Sequence, residues 1–469
     1  MSRRLLIFII FVLTQSLAAQ VNYSLTYGED SRSVAKISVE LPAPASGAAS
    51  FVMPRSIPGE YSISSYDAFV ENIAAVTASG ERIALTKNEF DAPRWQAVDN
   101  VKPIIRIEYE VDLRKMERKM PPGSASAARD GFAGILNYSI FGWVEGTENQ
   151  PVHCRVKTSK DWPVFSTNRP AAAARKGEFG FDTENYYELA DGQIFLGPRF
   201  RVKEFKGPVP LFVASFCEPG DEFLDDYGKQ GVRSLEILND YFGEIPFRHY
   251  SIMLVRAIPL EAGTAPQLAM EHLASATFFG DTVGMRKAPL SDEELNRSIS
   301  PYLHHMAHAY IPLRSYGDAY RPIVQEIPPI IRNIWFNEGF MWFLAYDTLK
   351  FERMLTVFKN GAFNTSETIK KMNLTELSQL GSTAYGTDFR IGRALYSRGA
   401  LMAIEMNESL LKKSGGKKSM KDVIRALYYW GKQNRRAFTM DEFPRLINRA
   451  GGINLQKIYE KWQLPVATE

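Results

Sequence analysis

Three histidines fall within five residues in the run His304-His305-Met306-Ala307-His308. Residues four apart on a helix lie one above the other, so His304 and His308 can turn two imidazole nitrogens toward one ion. Further along, Trp335-Phe336-Asn337-Glu338-Gly339-Phe340 sets a carboxylate inside an apolar run that reads as a second helix. Two imidazoles and a carboxylate suit a first-row divalent cation, zinc above all, and three protein ligands leave a fourth position for water or substrate. The pattern predicts one Zn2+ per chain on His304, His308 and Glu338.

What such an ion could do depends on His305. In the H-E-x-x-H arrangement of zinc hydrolases, the residue after the first histidine is a glutamate that activates water. Here that position, about 100° around the helix from His304, holds an imidazole. A neighbouring cation disfavours the imidazolium that a proton-accepting His305 must become. A general base typically contributes roughly 10²–10⁴-fold to rate, so this exchange alone could erase turnover. Rotated, His305 could instead bind metal itself.

These side chains need a helix under them, and the sequence marks one. Ser300 reads as an N-cap, Pro301 as the first helical residue and Pro312 as the stop. Upstream, Ile37, Val39 and Leu41 alternate with Lys36, Ser38 and Glu40, and Ile105 to Leu113 alternates with charged residues. That period of two, broken by Pro and Gly, predicts antiparallel strands in a sandwich from Gln20 to about Val213. Near Cys217-Glu218-Pro219-Gly220 the period changes. Val232, Leu235, Leu238 and Tyr241 mark a helix ending at Gly243. Strands follow at His249 to Arg256 and Ala274 to Phe279, and helices dominate from Pro301 onward. Ser419 should cap one of these, Thr439 with Glu442 should form a capping box for the next, and Lys412 to Lys421 reads as a solvated loop.

Composition limits the rest. The chain of 469 residues is 45% hydrophobic and 23% charged with a formal net charge of +3, which suits folded domains and gives no electrostatic footprint for nucleic acid. Residues 1–19 read as a secretory signal: Arg3 and Arg4, then an apolar Leu5 to Leu13, then Leu17-Ala18-Ala19. The alternative, an uncleaved anchor, has an apolar run short for a bilayer. The expectation is a secreted or periplasmic protein with no stable membrane insertion after cleavage. Cys154 and Cys217 could pair in an exported protein, but their spacing leaves that open.

Taken together, these segments resemble the gluzincin aminopeptidases, and most closely the glycyl aminopeptidase family of zinc metallopeptidases. The interval from His304 to Glu338 is that family's long one. Ser56-Ile57-Pro58-Gly59-Glu60-Tyr61 looks like its N-terminal Pro-Gly-x-Tyr signature, and Asn137 to Gly142 with Val144-Glu145-Gly146 looks like its second hallmark. Phe242-Gly243-Glu244-Ile245-Pro246-Phe247 matches the end of the first catalytic-domain helix. The resemblance implies a multidomain α+β protein: signal peptide 1–19, an N-terminal antiparallel β-sandwich 20–213, a thermolysin-like α/β domain 214–350 and a helical C-terminal region 351–469. It implies that Glu271, with His272 beside it, receives the free α-amine of a peptide, and that Tyr396, in Tyr-x-Arg-Gly-Ala, donates to the oxyanion.

Departures cluster at the chemistry. Besides His305, the family's Trp-Asn-x-Lys-Arg becomes Tyr310 to Arg314, its paired glycines before the amine-binding glutamate become Leu268-Ala269, and the expectation is that the PDZ domain common in the family is absent. Two functions remain open. One is an aminopeptidase that releases N-terminal residues of glycine or alanine type from peptides. The other is a pseudo-peptidase that binds peptide N-termini without cleaving them.

Overall fold

Alternation becomes sheet where it was expected. In the computed structural model, which describes residues 20–28, 33–45, 50–90, 93–97, 102–121, 124–158, 162–171, 178–216, 221–256, 269–280, 292–315 and 325–466, Val34–Ala45 turns Ala35, Ile37, Val39 and Leu41 into the core. Ile104–Asp112 pairs with it antiparallel and buries Ile107, Tyr109 and Val111. Among the described residues the N-terminal strands form a seven-stranded sheet and two four-stranded sheets. Pairing is antiparallel except between Val21–Tyr27 and Val152–Thr158, which run parallel. The expected signal segment 1–19, Cys217 to Gly220 and Leu268 lie outside the described residues; Cys154 is a buried thiol.

A separate five-stranded sheet carries the second half. It takes in Arg201–Phe205 and Leu211–Phe216, so the change of sheet comes before Val213. Leu211–Phe216 and Tyr250–Arg256 pair in parallel and read as continuous apolar runs because both faces are covered. Ser275–Gly280 continues the parallel set, and Ala269–Glu271 closes the edge antiparallel to it. The long helix Asp221–Phe242 ends at Gly243, whose φ of +84° is the left-handed conformation glycine tolerates at a helix end. Its Leu235, Leu238 and Tyr241 join one core with the C-terminal helices.

The histidine helix starts earlier than Ser300. It spans Asp292–Ala307 with Pro301 inside it. A proline in the interior forfeits one backbone hydrogen bond; here Ile299, Tyr302, Leu303 and Met306 are drawn into the core on both sides of it, and packing outweighs the local stop signal. The helix also ends before Pro312, and His308 sits just past its last assigned residue. Other local signals hold. Ser419 N donates to Asp422 at 2.9 Å ahead of helix Met420–Asn434, and Thr439 and Glu442 make reciprocal bonds of 2.9 and 3.2 Å before Phe443–Gly451. The lysine-rich loop is shorter than expected, because helix Phe389–Ser414 runs through Lys412 and Lys413. Among the described residues no helix is long and apolar enough to cross a membrane.

Candidate metal centre

Two helices and the turn after the first bring the candidate ligands together. The glutamate helix, Ile334–Leu349, is buried along nearly its whole length. It crosses the tyrosine helix, Phe389–Ser414, where glycines meet: a Cβ on Gly339 would lie 2.5 Å from the Cα of Gly399. That close approach sets the depth at which Glu338 faces the histidine helix. Arg398 beside it donates to the carbonyls of Met372 and Leu464 and so ties the helix to the C-terminal segment. Part of the Tyr-x-Arg-Gly-Ala motif is thus scaffolding.

His304 Nε2 lies 3.1 Å from His308 Nε2, and the Oε2 of Glu338 lies 3.3 Å from the first and 3.5 Å from the second. Those separations fit an ion's coordination shell. With zinc–ligand bonds of about 2.0–2.1 Å, neighbouring vertices of a tetrahedron stand about 3.3 Å apart. The His308 Nδ1–H donates to the Ile311 carbonyl at 3.0 Å, which turns its Nε2 toward the other two candidate ligands. His304 stacks on Trp342 at 4.1 Å. All three ligands are buried.

The charges agree with that reading. Burial pushes the His304 imidazole well below its ordinary pKa, and His308 adds to the effect. At His308 burial also disfavours the cation, but the carboxylates of Glu271 and Glu338 outweigh it and raise the pKa to about 9. Burial opposes ionisation of Glu338, yet the two histidines hold its carboxyl far below the usual range. Negative charge therefore collects at one point. A divalent cation held here would balance that charge with both imidazoles neutral and would displace a proton from His308.

Glu271 stands close by, at the end of the edge strand. One of its oxygens lies within 4.8 Å of ligand atoms of His308 and Glu338. Its Oε2 is 3.2 Å from Nδ1 of His305, and its Oε1 is buried without a hydrogen-bond partner. His272 faces the domain interface: fully buried, it bonds Asp191 of the N-terminal domain through Nδ1 at 3.2 Å and stacks on Tyr138. Tyr396 lies one ring removed from the ligands, against Trp342, Phe358 and Phe389.

The phenols at Glu338 are others, which sequence reasoning had not assigned to the site. Tyr61 donates to Glu338 Oε1 at 3.1 Å from across the domain interface. Burial, and after it the charge of Glu338, pushes the Tyr385 phenol well above its ordinary pKa, and its ring packs on Tyr61 at 5.3 Å. Tyr385 contacts Phe389, Phe389 contacts Tyr396 and Tyr396 contacts Trp342. The rings form a belt that leaves Glu338 through Tyr61 and returns to His304 through Trp342. The one available signal was the Pro58-Gly59-Glu60-Tyr61 signature. Its loop is fixed by Glu60, whose buried carboxylate accepts from the Ser64 and Ser124 hydroxyls. The backbone nitrogens of Arg55 and Ser56 bond the Gln325 carbonyl of the second domain.

The architecture, strand-rich sheets followed by a mixed sheet and a helical region, is shared with solved structures of aminopeptidase type. Residues 22–198 match the family model described as the Peptidase M61 N-terminal domain. An aminopeptidase N family protein from Idiomarina loihiensis superposes with a TM-score of 0.81 at 17% identity, over 96% of this chain and 76% of that one. Native yeast LTA4 hydrolase superposes with a TM-score of 0.57 at 12% identity, over 96% and 68%. No curated protein matches the sequence closely.

Proposed function

We propose that the chain is an exported, zinc-binding protein of metalloaminopeptidase type that takes peptides at its metal centre, with hydrolysis held down by the loss of a free general base. The observation that carries this is the convergence of His304, His308 and Glu338 at separations of 3.1–3.5 Å. When bound, zinc would supply Lewis acidity toward a peptide carbonyl and acidify water. The chain's own groups do the rest. His308 is oriented by Ile311, Glu338 by Tyr61, and the aromatic belt shields the ligands from solvent. Tyr385 is the phenol best supported as a donor to developing negative charge, with Tyr396 behind it.

The competing reading is efficient release of N-terminal residues of glycine or alanine type, anchored by a free N-terminus at Glu271. His305 speaks against it, because its Nδ1 is committed to Glu271. Metal analysis after zinc reconstitution, joined to a screen of aminoacyl amides, tests both. One zinc per chain is expected, lost in His304→Ala, with slow or no turnover of glycyl and alanyl amides. Unchanged stoichiometry in His304→Ala would sink the ligand assignment, and brisk wild-type turnover would restore the aminopeptidase.

A further inference from the structure

The exchange that removes the base also fills a neighbouring subsite. Glu271 brings an oxygen within 4.8 Å of ligand atoms of His308 and Glu338, and it is only 4% exposed. For an ammonium to rest there it must reach an oxygen. Oε2 is taken by His305, which approaches from the next position on the histidine helix. Oε1 is covered from the other side by Gly59: a Cβ added there would lie 2.3 Å from it. Gly59 holds a φ of +98°, so this is a position where both the backbone and the space call for glycine. Oε1 is buried against this turn and accepts no hydrogen bond from the described residues.

We propose that His305 is an internal plug for Glu271, so that the site takes amine-blocked or internal peptide segments rather than free N-termini. This rests on the metal centre described above and departs from the sequence expectation about the amine. The imidazole N–H donates to the carboxylate that a substrate ammonium would otherwise reach, and it is tethered, so a free amine competes against an intramolecular contact. With the ammonium contact closed, recognition falls to the peptide carbonyl and to the half-exposed rings of the belt, where Phe389 is 55% exposed. An apolar side chain with an acylated nitrogen suits that surface.

The test compares phenylalanine hydroxamate with N-acetylphenylalanine hydroxamate, titrated calorimetrically into the zinc-loaded full chain and into His305→Ala. The wild type should bind the two within about threefold. His305→Ala should prefer the free amine by roughly ten- to hundredfold, the scale of one charge-assisted contact. A wild-type preference for the free amine above about threefold overturns the plug, as does an indifferent His305→Ala. Failure of either protein to bind zinc or any hydroxamate counts against the metal centre instead. The plug is then read without ligand: in 15N-histidine-labelled protein the Nδ1 resonance of His305 should move on Glu271→Gln. A resonance that stays in place overturns the proposal.

Discussion

Tyr61 of the N-terminal domain donates its phenol to Oε1 of Glu338, 277 residues later in the chain, at 3.1 Å. Tyr61 itself sits at φ +52°, an uncommon conformation for a bulky residue. The turn that bears Tyr61 thus brings its phenol to the second oxygen of a candidate metal ligand. Partners of this kind orient first ligands and commonly matter 10–100-fold, by rough rule, for metal affinity.

Tyr61→Phe should therefore keep the fold and weaken zinc binding by about tenfold or more, measured by competition with a chromophoric chelator. Stability of the metal-free protein should fall by about 1.5–3 kcal/mol, since a hydrogen bond to a charged group is lost. An unchanged zinc dissociation constant would mean that Glu338 is oriented by the glutamate helix alone.

His305→Glu should raise peptide hydrolysis. The carboxylate stands where a proton acceptor is needed, and a restored base is worth roughly 10²–10⁴-fold. The comparison is kcat/KM on an alanyl amide with equal zinc loading. Should wild type be the faster of the two, His305 is itself the evolved base and the loss-of-base reading is withdrawn.

Asp67 carries a pH-dependent contribution to the loop that bears Tyr61. Burial opposes its ionisation, but Arg55, bonded to both oxygens at 2.7 Å, and Lys87 outweigh that and hold the carboxyl below its ordinary value. Because the folded pKa is depressed, the stabilisation is fully present above the unfolded value of about 3.9 and is lost as pH falls through the folded value. Asp67→Asn should thus cost on the order of 2 kcal/mol at pH 7. The gap to wild type should narrow below about pH 4. Urea unfolding at pH 7 and pH 3 checks it; a gap constant with pH would show that Asp67 acts through shape rather than charge.

The sequence by itself determined the parts that repeat locally. His304 and His308 were legible because a helix repeats every 3.6 residues, and the strands because a pleat repeats every two. The helix end at Gly243 and the capping residues Ser419 and Thr439 were legible for the same reason, since each is satisfied within a few residues of itself. Glu338 was offered by its apolar helical run and by the family's spacing, Glu271 by the family resemblance alone. The start of the histidine helix was misplaced at Ser300, because packing on both sides of Pro301 outweighs one lost backbone bond. Only the tertiary structure decided that Tyr61 holds Glu338, that Gly59 covers Glu271 and that His305 bonds it. Each joins groups from separate elements, two of them across the domain interface, and no periodicity records which surfaces of two folded domains will meet.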